Sequence, residues 1–112
     1  MKSALNSTIL ALGAVAILAG GATAASAETA WQKSHPRRAE VNARLRYQNY
    51  RIDRGEASGR ISPYRARQLH AEDRTVRHEE RAMARFNGGY ITPAEQRALN
   101  QQENVVSRQI GW

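Results

Sequence analysis

A turn signal that occurs twice, thirty residues apart, constrains this chain more than any other feature. It reads G-x-I-[ST]-P and spans Gly59 to Pro63 and then Gly89 to Pro93. Glycine gives a tight turn its backbone freedom, serine or threonine caps a helix, and proline suits the first helical turn. The pattern therefore predicts two helix starts, with structural turn and cap residues Gly59, Ser62, Pro63, Gly89, Thr92, Pro93 and Glu95.

The two copies stay in register beyond the turns. Leu69 corresponds to Leu99, and Asp73 corresponds to Glu103. A repeat of this period indicates duplication of one supersecondary unit. With two copies, it predicts a duplicated helix-turn-helix rather than a solenoid. Glu95 follows Thr92 by three residues and completes a capping box in the second copy.

Apolar residues recur at helical spacing throughout the region that contains the repeat. Leu69, Val76 and Met83 repeat every seven residues, which is typical of helices packed side by side. We predict an all-α fold of three helices, at about 36–54, 62–86 and 92–110, within a helical domain at 36–112. Residues 28–35 are predicted to form a flexible lead-in. The apolar stripes could close on one another or on a second copy, so we also predict a homodimer as an alternative to the monomer.

Residues 1–27 have the pattern of a cleavable signal peptide. Lys2 is followed by an apolar run from Ile9 to Ala19, and Ala25 to Ala27 forms a small-x-small cleavage site. The apolar run is short for a membrane span. We therefore expect cleavage after Ala27 and a periplasmic or secreted protein with no transmembrane segment after processing. The chain contains no cysteine, so its stability cannot come from disulfides.

Charge is the strongest bulk signal. Lysine and arginine number 17 and aspartate and glutamate 10, for a formal net charge of +7. Arginine dominates, and its guanidinium can bind phosphate or carboxylate with two parallel hydrogen bonds. We predict a protein or an anionic envelope surface as the partner, and no nucleic acid, because the chain is exported. The candidate anion-binding residues lie on the first helix: Arg37, Arg38, Arg44, Arg46 and Arg51.

Metal binding and catalysis have little support in the sequence. His70 and Asp73 lie three residues apart on one helix, a spacing that can ligate a metal. Glu95 takes the place of the twelfth EF-hand ligand, but the early ligand places of that loop hold alanine, phenylalanine and glycine. We predict no cofactor and keep His70, Asp73 and Glu95 as the candidate metal ligands. No nucleophile motif, zinc-protease motif or P-loop is present, so we predict that the protein is not an enzyme.

The region from Arg51 to Ile110 resembles a group of small exported proteobacterial proteins of unknown function. The repeated G-x-I-[ST]-P helix starts, the Glu79-Glu80 pair and the run from Asn104 to Ile110 carry this resemblance. It implies a periplasmic module and supplies no site residues.

A looser resemblance is to the Spy and CpxP family of periplasmic chaperones, which are basic helical dimers with an L-T-x-x-Q motif. The segment from Ile91 to Gln96 is similar to that motif, with isoleucine for leucine and glutamine one place late. Three hypotheses follow from the sequence. The first is an exported, non-enzymatic binding or envelope-associated protein. The second is a Spy-like chaperone, and the third is a metal-responsive periplasmic protein.

Overall fold

The computed structural model of the protein describes residues 28–111, and the predicted signal peptide at 1–27 and Trp112 lie outside the described residues. The described chain is α-helical, as predicted, but it contains four helices rather than three. They are α1 (Ala30–Ser34), α2 (Pro36–Ala57), α3 (Pro63–Phe86) and α4 (Pro93–Ile110). No residue between 28 and 111 lies in a β-strand.

Helices α2, α3 and α4 form a bundle in which each helix packs against the other two. The connections at 58–62 and 87–92 are short, so consecutive helices run antiparallel and α2 runs parallel to α4. The apolar stripes close on one another within a single chain, and their leucines at positions 45, 69 and 99 have no exposed surface.

Both repeated turns cap the helices that follow them. Gly59 and Gly89 have φ angles of +82° and +99°, a left-handed conformation that glycine adopts without strain. Ser62 Oγ accepts a hydrogen bond of 3.0 Å from the backbone N–H of Arg65. At the second turn, Thr92 Oγ1 accepts from the Glu95 N–H at 3.1 Å and Glu95 Oε1 accepts from the Thr92 N–H at 2.8 Å. The helices begin at the prolines, one residue after the predicted starts.

Helix α2 ends at Ala57, three residues beyond the predicted end at 54. The predicted helix ends before Gly55 because glycine is unfavourable inside a helix. Gly55 is instead a buried part of the helix, and a Cβ there would lie 2.4 Å from Ile61 Cδ1. Glycine is therefore needed at this position for the close approach of Ile61 rather than for a turn.

The fourth helix, α1, lies in the segment that was predicted to be a flexible lead-in. An aromatic stack accompanies it, in which the His35 ring lies between Trp31 (4.5 Å between centroids) and Tyr90 (4.4 Å). The guanidinium of Arg38 lies 5.1 Å from the centroid of the Trp31 ring. A helix of five residues is not stable alone, so this stack against the second turn explains why α1 forms here.

The buried apolar residues form two clusters, one towards each end of the bundle. The cluster near the second turn contains Val41, Leu45, Val76, Ala84, Ile91 and Leu99. The cluster near the first turn contains Ile52, Ile61, Ala66, Leu69, Val106 and Ile110. Four buried polar residues occupy the middle of the helices between these clusters: Gln48, Arg51, Asp73 and Glu103.

Candidate functional site

The arginines at the start of α2 hold the second turn in place. Arg37 Nε donates to the carbonyl oxygen of Ile91 at 2.6 Å. Arg38 donates through Nε to the carboxylate of Glu80 and through Nη1 to the carbonyl oxygen of Gly89 at 2.9 Å. Glu80 is 1% exposed. These two arginines, predicted to bind an external anion, therefore have anionic and carbonyl partners inside the fold.

Two further arginines of α2 connect that helix to α4. Arg44 donates to Asn104 Oδ1, and its Nη1 lies 4.0 Å from Glu103 Oε1. Arg51 donates from Nη1 to Ser107 Oγ at 2.8 Å. Arg46 is the last of the five predicted anion-binding residues, and it is exposed with no hydrogen bond or ion pair to any residue in 28–111. Four of the five thus have partners within the protein.

The exposed surface of α3 carries a different set of basic residues. Arg67, Arg74, His78, Arg81 and Arg85 are all exposed. At 100° per residue, these five side chains lie within about 60° of one another around the helix axis. From Arg67 to Arg85 they extend along about 27 Å of helix. We call these five residues the basic face.

No acidic side chain is exposed on α3. Glu72 and Glu79 are half-buried, and Asp73 and Glu80 are buried. The exposed part of α2, in contrast, includes Glu40, Asp53 and Glu56. Because the acids of α3 lie on the sides that meet α2 and α4, they do not neutralise the basic face from within its own helix.

The guanidiniums of the basic face are largely free. Arg74, Arg81 and Arg85 form no hydrogen bond or ion pair with other residues in the described part of the chain. Arg67 lies with its guanidinium carbon 6.0 Å from the centroid of the Tyr64 ring. An arginine that holds no internal partner keeps its five donors for an external anion.

The sequence contains a periodic signal for this face. Arg67, Arg74 and Arg81 repeat every seven residues, and each precedes by two the apolar residue of the stripe Leu69, Val76 and Met83. Two residues correspond to about 200° around a helix, so the arginine row lies opposite the buried stripe. The anion-binding residues were predicted on α2 instead, because arginines cluster near the start of that helix.

The candidate metal ligands do not come together. His70 contacts Asn49 Oδ1 through Nδ1 (2.7 Å) and Asp53 Oδ1 through Nε2 (2.9 Å), both on α2. Asp73 is buried in the middle of the bundle, whereas Glu95 is engaged in the cap of α4. Among residues 28–111, no group of three or more histidine, aspartate or glutamate side chains is arranged to hold a metal ion.

Asp73 and Glu103, which correspond in the thirty-residue repeat, are 2% and 0% exposed. Burial raises the pKa of Asp73 to about 6, against the opposing charges of His70, Arg77 and Arg51. Burial also raises the pKa of Glu103 to about 8, against the charge of Arg44. Taking a carboxylate out of water favours its neutral form.

The contacts around this pair supply few donors. Gln48 Nε2 donates to the backbone carbonyl of Glu103 at 2.7 Å. Asn100, with its amide oriented to satisfy both partners, donates to Glu103 Oε1 at 2.9 Å and to Glu40 Oε1. Both oxygens of Asp73, with Glu103 Oε2 and Gln48 Oε1, find no donor among the described residues. The interior thus holds two acids whose neutral forms suit it better than their charged forms.

Comparisons with known proteins identify no relative: no family model, curated protein or solved structure matches this chain. From residue 28 to residue 111, no helix is both long enough and apolar enough to cross a bilayer.

Proposed function

We propose that this protein is an exported, non-enzymatic binding module of the bacterial envelope that binds a polyanionic surface through the basic face of α3. The observation that carries the proposal is that every charged side chain exposed on α3 is basic. Export and periplasmic location come from the signal-peptide pattern at 1–27.

Charge distribution supports binding through this face rather than through α2. The exposed surface of α2 mixes Arg46 and Arg54 with Glu40, Asp53 and Glu56. Opposite charges in close proximity cancel at a distance, whereas a row of one sign adds up to a potential that attracts a polyanion. A polyanion approaching the bundle is therefore drawn to α3 and kept from α2.

The internal contacts of the α2 arginines support the same choice. Arg38 would have to give up the carboxylate of buried Glu80 in order to bind an external anion. Leaving a buried charge without its partner costs several kcal/mol. Arg74, Arg81 and Arg85 lose no internal partner when they bind, so their full interaction energy is available to a ligand.

The test uses two triple variants with the same change in net charge. One replaces Arg74, Arg81 and Arg85 with glutamine. The other replaces exposed arginines elsewhere, Arg46 on α2 and Arg97 and Arg108 on α4. Binding to long-chain polyphosphate is measured by titration calorimetry at low and at physiological salt.

We expect the α3 variant to lose about 100-fold in affinity, at about 1 kcal/mol for each arginine near an anionic surface. The control variant should lose much less, and wild-type binding should weaken as salt screens exposed charge. Equal losses in the two variants would mean that net charge alone drives binding, and the proposal would fail.

The other hypotheses have no comparable support in the described residues. A chaperone cradle would need apolar stripes open to a client, but Leu45, Leu69 and Leu99 are buried within one chain. Metal response would need a ligand cluster that residues 28–111 do not form. Chaperone activity, metal response and the homodimer stay predictions from the sequence.

A further inference from the structure

We infer that the polyanionic partner of the basic face is the headgroup layer of an anionic lipid bilayer, with Phe86 and Tyr64 entering the interface at the two ends of α3. This inference rests on the proposed function and narrows the chemistry of its partner. It is carried by the apolar and aromatic groups that border the basic face.

Phe86 is the first of these groups. It is the last residue of α3, it is 88% exposed, and neither core cluster includes it. Arg85 lies directly beside it in the chain and belongs to the basic face. Tyr64 is 65% exposed at the other end of α3, next to Arg67. The basic face is therefore flanked by an exposed aromatic ring at each end.

An uncharged strip runs beside the basic face between these two rings. Its residues lie about 40° to 100° further around the helix than Arg67, on the side towards α4. None of these residues carries a charge. The strip consists of Tyr64, Gln68, Ala71, Thr75, Ala82 and Phe86. This surface places two exposed aromatic rings and uncharged residues directly beside a row of arginines, which an anionic headgroup layer attracts.

The strip leads into a shallow groove between α3 and α4. Val76, Val105 and Val106 line the groove, whose volume is about 270 Å³. Val105 is 43% exposed, so an aliphatic group faces outwards here. Apolar groups therefore lie along one edge of the basic face. A bilayer has a corresponding arrangement, because its anionic headgroups lie directly above its apolar interior. Arginine side chains can hold phosphates while their stems and neighbouring rings lie deeper.

An acidic protein segment fits this surface less well. Glu72 also lines the groove and would repel an acidic chain that lay in it. An acidic chain would also leave the ring of Phe86, 88% exposed, in water, whereas a bilayer can bury it. The exposed acids Glu40, Asp53 and Glu56 are on α2. The α3 side of the bundle therefore attracts an anionic membrane, and these acids on α2 repel it.

The experiment separates lipid from other polyanions. The exported protein, with its N-terminus checked by mass spectrometry, is tested against three probes. These are vesicles of phosphatidylglycerol and phosphatidylcholine in equal parts, soluble polyphosphate, and a polyglutamate peptide. The variants are Phe86→Ala and, as a matched control, Tyr47→Ala, which removes an exposed aromatic ring of α2.

We expect Phe86→Ala to weaken vesicle partitioning about tenfold, since seating a phenylalanine in an apolar environment is favourable by roughly that factor or more. Its affinity for polyphosphate should not change. Tyr47→Ala should match the wild type with every probe. This pattern, together with tighter binding to vesicles than to polyglutamate, is the expected result.

Two results would overturn the lipid inference and leave the proposed function standing: vesicle partitioning that is indifferent to Phe86, or tighter binding to polyglutamate than to vesicles. Failure of polyphosphate and vesicles alike to bind the wild type would instead overturn the proposed function and the inference built on it.

Discussion

Helices α2 and α3 each contain six arginines, yet they use them in opposite ways. On α2, four arginines reach across to carbonyls, to an amide, to a hydroxyl or to buried Glu80. On α3, four arginines are exposed, and three of those have no partner in the described chain. The role of an arginine is therefore decided by its register relative to the buried stripe of its helix. The count of arginines in a helix and their spacing along the sequence do not decide that role.

One surface depression brings the two kinds of arginine together. Arg38 from α2 lies beside Arg81 and Arg85 from α3, around Gly88 and Gly89. Arg38 is engaged with Glu80 below, whereas Arg81 and Arg85 extend into solvent. These three arginines are neighbours on one surface. Substituting them one at a time therefore compares an arginine that has an internal partner with arginines that have none, in the same surroundings.

The largest expected effect is the loss of stability in Arg38→Gln. The change leaves the Glu80 carboxylate, 1% exposed, without its cation. We expect a loss of about 3–5 kcal/mol in the free energy of unfolding, measured by urea denaturation. Arg81→Gln, in the same surface depression, should change it by less than about 0.5 kcal/mol. Similar losses for both would remove the distinction between the two helices.

A second prediction concerns two buried acids, Asp73 on α3 and Glu103 on α4. The raised pKa values of Asp73 and Glu103 mean that the folded state binds more protons than the unfolded state at intermediate pH. The free energy of unfolding should therefore fall as pH rises from about 4 to about 8. Asp73→Asn removes one of these ionisations and supplies a donor to its acceptor-rich neighbours.

We expect Asp73→Asn to be more stable than the wild type at pH 8 by about 3 kcal/mol, from a pKa difference of about two units. The gain should shrink towards pH 4, where the wild-type acid is neutral too. Urea denaturation across this pH range measures it, with Glu56→Gln, an exposed acid of α2, as the control. Wild-type stability that increases from pH 5 to pH 8 would contradict the assignment.

Much of the fold follows from local sequence signals, and much of the site does not. The G-x-I-[ST]-P turns predict the caps at Ser62 and Thr92 because each cap depends on residues within one helical turn. Helix α1 was missed because it depends on a contact distant in sequence, the stacking of His35 on Tyr90. The end of α2 was missed for a local reason, because Gly55 packs against Ile61 within the helix and does not form a turn. The partners of the α2 arginines are equally distant: Arg51 meets Ser107 only once the bundle is formed.

A third, smaller effect is expected for Arg51→Gln. This change removes hydrogen bonds from Arg51 to the hydroxyl and the carbonyl oxygen of Ser107. Hydrogen bonds to charged groups contribute about 1.5–3 kcal/mol, so we expect a destabilisation of about 2 kcal/mol. Arg74→Gln on α3 serves as the control and should leave the thermal midpoint nearly unchanged. An Arg51→Gln variant as stable as the wild type would show that the contacts of Arg51 with Ser107 do not stabilise the bundle.

The assignment of the anion-binding surface to α3 is tested most directly by mapping binding residue by residue. Amide chemical shifts of the ¹⁵N-labelled exported protein are recorded during titration with short-chain polyphosphate. We expect the largest shifts along the exposed side of α3, from Arg67 to Arg85, and little change in the first two turns of α2. Shifts centred on Arg37, Arg38 and Arg46 would contradict this assignment and would return the anion-binding surface to α2.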